Sequence, residues 1–237
     1  MSQRPANSAA LATRLVESLG GRYSAQLGIE IDRGGDQIER WALAATLFGA
    51  RISAKIAERT FAVLEEAGVH SIADAGRRDI GRLIERLDAG GYARYDLRTA
   101  ERLHALARTL REEYGGRAGS VLDLPGDELE PALHALPGWG PVTVALFLRE
   151  LRGLRPGIDP PLDARTVQAA EHLGLLVRGA GIGQLRDLAR AAGLDVRDLE
   201  AGLVRLSFAH DRHMAECPGG SACTALVPRG HPLQAAC

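Results

Sequence analysis

Lysine is almost missing from this 237-residue chain: Lys55 is the one lysine among 29 basic residues, and the others are arginine. Chemistry that needs an amine, such as Schiff-base formation, therefore has Lys55 or the chain's own amino terminus and nothing else. Aromatic residues make up only 4%, too few for a site walled by rings around a cationic ligand. Three cysteines, an odd number with Cys217 and Cys223 close together, do not make a disulfide framework. No apolar run reaches the roughly 18–20 residues of a membrane span, so no membrane association is expected. The opening Met1-Ser2-Gln3-Arg4-Pro5 has no apolar secretory core, which makes the cytoplasm the expected location. An excess of one charge is absent too: the net charge is −1, so any anion-binding face must come from local clustering.

What is present is helical. Hydrophobic content of 46% with 25% charged residues is that of an ordinary globular protein, with room for one large domain or two small ones. Apolar residues recur at three- and four-residue spacing from Ala9 to Leu19. Further helices are predicted from Asp36 to Gly49, from Ser53 to Gly68, and from an Asp79 cap through Leu87. Others run from Leu97 to Tyr114, Asp127 to Ala135, Pro141 to Leu151, and about 164–173, 183–191 and 195–210. No alternating strand pattern of any length appears, so the expected class is all-α. From Arg212 onward the chain is rich in Gly, Pro and Cys without periodicity and reads as coil or a metal-bound loop.

Two stretches carry chemistry. In Leu136-Pro137-Gly138-Trp139-Gly140 the paired glycines allow a tight reversal between helices and strip side chains from the turn. Backbone N–H groups there can face an anion at the start of the next helix, with Pro141 losing no hydrogen bond in its first turn and Thr143 adding a hydroxyl. A corner with no ligand is the alternative, and Trp139 is expected to pack between the helices. The second stretch is a Gly/Pro loop, Pro156-Gly157-Ile158-Asp159-Pro160-Pro161-Leu162-Asp163, running into a helix that closes at Leu173-Gly174. A carboxylate at a helix start is steadied by the dipole, whether it acts on a ligand or simply caps the helix. Asp159 lacks that register and reads as a loop residue.

Together these stretches resemble the signature of the helix-hairpin-helix DNA glycosylases, the endonuclease III superfamily. The resemblance covers roughly residues 36–210 and is strongest over 127–175. It implies a two-lobed helical fold with a central cleft: a six-helix barrel lobe at 36–153 carrying the hairpin, and a second lobe of 1–35 with 154–237, the Cys-containing tail included. The implied activity is excision of a damaged or mismatched base from double-stranded DNA in base excision repair, by an enzyme expected to be monomeric. The base is flipped out and Asp163 assists hydrolysis of its N-glycosidic bond.

Where bifunctional members carry a lysine, two residues beyond the last hairpin glycine, this chain has Val142, which implies a hydrolase without a lyase step. A bifunctional enzyme working through Lys55 or the amino terminus, and a DNA-binding relative in which Asp163 only caps, are the alternatives. By register, Leu136 to Gly140, Val142, Thr143, Arg51, Lys55 and Arg165 are candidate DNA contacts. Arg51 would fill the gap left by the extruded base, and Tyr92 and Tyr95 would border the base pocket, core packing being the alternative for both tyrosines. Scarce aromatics argue against cationic alkylated bases; uracil or thymine mismatches, oxidised pyrimidines and mispaired adenine stay open.

Many relatives end in four cysteines at C-x6-C-x2-C-x5-C spacing that hold a 4Fe–4S cluster. Cys217-x5-Cys223 and the terminal Cys237 do not match it, and no cofactor is expected. A zinc set can nonetheless be built from His210, His213, Cys217 and Cys223.

Overall fold

The computed structural model describes residues 3–226. Every regular element among them is helical, and none is long and apolar enough to cross a membrane. The chain divides into two compact units, Leu27–Asp159 and Met1–Gln26 with Pro160–Cys237.

In the second of these, α1 (Gln3–Leu19) is followed by the single turn α2 (Tyr23–Gln26). Arg205 holds α2 by stacking its guanidinium 3.8 Å from the centroid of the Tyr23 ring and donating to the Gly21 carbonyl at 2.9 Å.

The unit Leu27–Asp159 is built around α3 (Asp36–Phe48), whose residues Ile38, Trp41 to Ala45 and Leu47 are all buried. Such a stripe is wider than one face, because α4 (Ala54–Glu66), α5 (Ile72–Arg77) and α9 (Pro141–Glu150) all pack on it. Outside them, α6 (Ile80–Gly90) lies on α4 and α7, and α7 (Asp96–Glu113) on α5. Helix α8 (Gly126–Ala135) leads into the hairpin and α9. Helix starts follow the expected chemistry: Ser53, Ser71 and Asp79 each accept the amide of the residue three positions on. Buried Glu39 accepts the amides of Ala118 and Gly119, both at 2.9 Å, satisfying the 3-10 turn before α8.

The remaining elements, α10 (Ala164–His172), α11 (Ile182–Ala192) and α12 (Val196–His210), complete the unit that contains α1. Its core joins Ala12 and Leu15 of α1 to Ala169, Leu185, Leu199, Leu203 and Leu206. Each fully buried leucine of this kind contributes about 1.5–3 kcal/mol. Among the described residues past His210 the chain folds as 3-10 turns at Asp211–Glu216, Gly220–Ala222 and Thr224–Leu226, not as plain coil. Met214, Cys223 and Leu226 anchor these turns in the same core.

Candidate functional site

The hairpin forms the turn its glycines allow. Trp139 N–H donates to the Leu136 carbonyl at 3.0 Å, and Gly138 takes φ of 81°, a left-handed backbone that favours glycine. Gly140 precedes α9, Pro141 stands in its first turn, and the first amide to find an acceptor within the helix is Val144, on the Gly140 carbonyl at 3.1 Å. The amides of Gly140 and Val142 therefore remain at a helix start with no backbone acceptor among the described residues, on an exposed edge formed by Gly138, Gly140 and Val142.

Side chains predicted to meet DNA at this turn divide sharply. Leu136 and Trp139 are buried, Trp139 with its ring centroid 4.8 Å from that of Phe147 in an edge-on contact and its Nε1 donating to Thr46 Oγ1 at 3.0 Å. Thr143 corrects the expectation: it is buried, and its Oγ1 fills the space where Gly49 has no side chain, so its hydroxyl faces α3 instead of a phosphate. Pro137 is half-buried, and Val142 is 65% exposed. An anion at this turn would meet backbone amides and, from α7, the exposed Arg102, whose side chain lies against Gly138.

Arg51 and Lys55 are exposed, the first between α3 and α4 and the second in the first turn of α4. Tyr92 also corrects the expectation. It is 1% exposed, its hydroxyl donates to the Leu47 carbonyl, and burial pushes its phenol pKa well up, so its ring belongs to the core and offers no face to a base. Tyr95 is half-buried under the Arg94 guanidinium, 5.9 Å from its ring centroid. An open concavity of about 820 Å³ in this unit, lined by Asp36, Arg40, His70, Arg77, Arg111 and Arg117 among others, includes none of the predicted site residues. Its arginines are largely spent on carboxylates: Arg40 on Glu65 at 2.7 Å, Arg77 on Asp74, and Arg117 on Asp36 at 3.2 Å.

Asp163 is the N-cap of α10. Its Oδ1 accepts the Thr166 amide at 2.7 Å and the Thr166 hydroxyl at 2.9 Å, and Thr166 is fully buried. At the other end Leu173 is the C-cap and Gly174 takes φ of 66°, so the helix runs from the predicted aspartate to the predicted Leu-Gly pair. Asp159 is held by Arg152, a loop role as expected. Arg165 lies exposed one residue into α10, with its guanidinium 5.1 Å from the Phe208 ring centroid.

The tail gathers ligand atoms, but not the expected set. His172, His210, Cys217 and Cys223 each bring one donor atom into a group in which all lie within 4.8 Å of one another. His213 is outside it, exposed and paired with Glu216 at 3.2 Å. The replacement is His172, at the end of α10, which reaches the tail through the tertiary fold. No local spacing in the sequence links it to the cysteines, and that is why it was missed. A 4Fe–4S cube does not fit these residues: it needs four thiolates spread around a body wider than one ion, and the described residues supply two sulfurs crowded by two imidazoles. Cys237 lies outside the described residues.

No protein-family model matches the chain, and no curated protein sequence matches it.

Proposed function

We propose that the chain is a monofunctional DNA glycosylase of the helix-hairpin-helix type, with the two-lobed fold of that class. In this reading the Gly140 and Val142 amides hold a phosphate of double-stranded DNA, and Asp163 acts on the deoxyribose of a flipped, damaged or mismatched nucleotide. The observation that carries it is α10, a short helix with one carboxylate at its start and the Leu173-Gly174 pair at its close, preceded by a Gly/Pro loop. The N–C1′ bond breaks with its electron pair leaving on the base. The carboxylate stabilises the sugar cation and guides water to C1′, and the proton lost by water ends on the departing base. Valine at 142 supplies no amine, so the product is an abasic site in an unbroken strand.

The hydrogen bonds from Thr166 favour one second reading, a DNA-binding protein in which Asp163 only caps. Single-lesion duplexes incubated with the protein and then treated with alkali separate the two. Asparagine keeps a side-chain acceptor for the Thr166 amide, so Asp163→Asn is expected to fold and bind DNA while losing strand breakage after alkali by at least 100-fold. Base release that survives the substitution removes Asp163 from the mechanism. Binding without base release on a panel spanning uracil, thymine mismatches, oxidised pyrimidines and mispaired adenine leaves the binding protein.

A further inference from the structure

The tail turns and the ends of α10 and α12 converge on two imidazoles and two thiols, and we propose that His172, His210, Cys217 and Cys223 form a structural site for one zinc ion. A tetrahedral zinc with bonds of about 2.0–2.3 Å spaces its ligand atoms roughly 3.3–3.8 Å apart. The four donors lie within 4.8 Å of one another, and His210 Nε2 is already 3.1 Å from Cys223 Sγ, so small side-chain adjustments close the tetrahedron. Softness points the same way, since two sulfurs with two imidazoles select zinc over magnesium or calcium. A two-iron cluster with paired histidines on one iron and paired thiolates on the other does not fit, because His210 and Cys223 are in direct contact.

Independent features prepare these groups as ligands. His172 Nε2 is buried with no hydrogen-bond partner, an expensive state for a polar atom unless something takes its lone pair. Burial lowers the pKa of His172, and burial with the neighbouring His172 lowers that of His210, so both rings are neutral and can donate electron pairs near pH 7. Cys217 Sγ also accepts the Thr224 amide at 3.3 Å. Such N–H donors stabilise a metal thiolate and orient it.

Gly219 completes the frame. With φ of 70°, it packs so tightly on His172 that a β-carbon would overlap the His172 carbonyl oxygen and come within 3.3 Å of Cε1. All four ligands come from the protein, with no place kept for a reacting water, which makes the role structural. The ion would fasten Cys217 to Leu226 against α10 and α12. Binding releases the proton of each thiol, and affinity falls in acid as thiols and imidazoles are protonated.

The test is metal content of the full chain purified from zinc-supplemented cells, which needs no DNA and is separate from any glycosylase assay. Close to one zinc per chain is expected by elemental analysis, with no visible iron–sulfur absorption. Chain stripped by chelator is expected to take up one Co²⁺ with the visible bands of a tetrahedral two-sulfur, two-nitrogen site. His172→Ala should lower cobalt affinity at least 100-fold, whereas His213→Ala should leave it unchanged. Should His172→Ala not fold, Cys217→Ser gives the same reading through loss of sulfur-to-cobalt charge transfer. A wild-type chain with neither zinc nor cobalt uptake overturns the site, as does an iron–sulfur chromophore. Equal cobalt loss in His213→Ala and His172→Ala overturns the ligand set.

Discussion

Trp139 donates its indole N–H to the Thr46 hydroxyl at 3.0 Å, and Thr46 in turn donates to the Ala42 carbonyl at 2.8 Å. This relay ties the hairpin turn to α3, and edge-on packing against Phe147 ties it to α9. The exposed edge that carries the Gly140 and Val142 amides is thus held by a buried anchor, one residue from Gly140 and three from Val142.

Trp139→Phe keeps a ring but removes the N–H, and is expected to cost about 0.5–1.5 kcal/mol for the lost hydrogen bond, with some addition for the smaller ring. Trp139→Ala empties a large buried site and should cost about 3–5 kcal/mol. Urea unfolding followed by far-UV circular dichroism measures both. A cost below about 1 kcal/mol for the alanine variant would mean that the indole does not anchor the turn.

Gly49 and Thr143 make a second close approach that stability can read. Gly49 has φ of −70°, an ordinary helical value, so alanine there is limited by space alone. Its β-carbon would overlap Thr143 Oγ1 and lie 2.9 Å from Thr143 Cβ. Gly49→Ala is therefore expected to destabilise by about 1–3 kcal/mol. Adding Thr143→Ala should recover part of that loss and not all of it, because the Thr143 β-carbon still crowds the new methyl. Strict additivity of the two substitutions would refute the contact.

How far the sequence foretold this molecule depended on whether the signal was local. Ser53 and Asp79 announce helix starts because a cap and its acceptor bond lie within one turn, and both cap as expected, whereas Asp36, the expected cap of α3, is its first helical residue behind Gly35. Helices α2 and α5 escaped because four and six residues are too few to show a 3.6-residue period, although Ser71 caps α5. Burial at irregular positions was illegible: nothing in Gly90-Gly91-Tyr92 says that the phenol turns inward to Leu47. The tail was harder still, since its 3-10 turns have no helical period and His172 joins them only through the tertiary fold.

The Asp195 cluster sets an acid limit on the unit containing α1. Burial alone would push the Asp195 carboxyl up, but hydrogen bonds from the Arg197 side chain and amide, with the charges of Arg197 and Arg22, outweigh it and hold the pKa below the usual value. A carboxyl depressed in the folded state contributes stability that is complete above the unfolded pKa of about 3.9. That contribution is lost as the pH falls from there through the folded value. Asp195→Asn should lower the urea midpoint at pH 7, and the gap from wild type should close progressively below about pH 4. A gap that stays constant from pH 7 to pH 3 would leave the ion pair with no net effect.

Val142 offers the most direct gain-of-function test of the proposed site. It is 65% exposed in the first turn of α9, so lysine fits there with little strain and should change stability by no more than about 0.5 kcal/mol. If this turn holds DNA beside the reacting sugar, Val142→Lys brings an amine to the C1′ aldehyde of an abasic site. The nitrogen adds to that carbon and water leaves, forming a Schiff base that borohydride reduces to a stable amine. A covalent protein–DNA band is expected with Val142→Lys and not with wild type, whose Lys55 serves as the internal control for amines elsewhere. Should the wild type trap as strongly, the amine is Lys55 or the amino terminus and the enzyme is a lyase. Should the folded variant bind abasic duplex and still fail to trap, α9 does not face the sugar, and the hairpin's part in the proposed reaction falls.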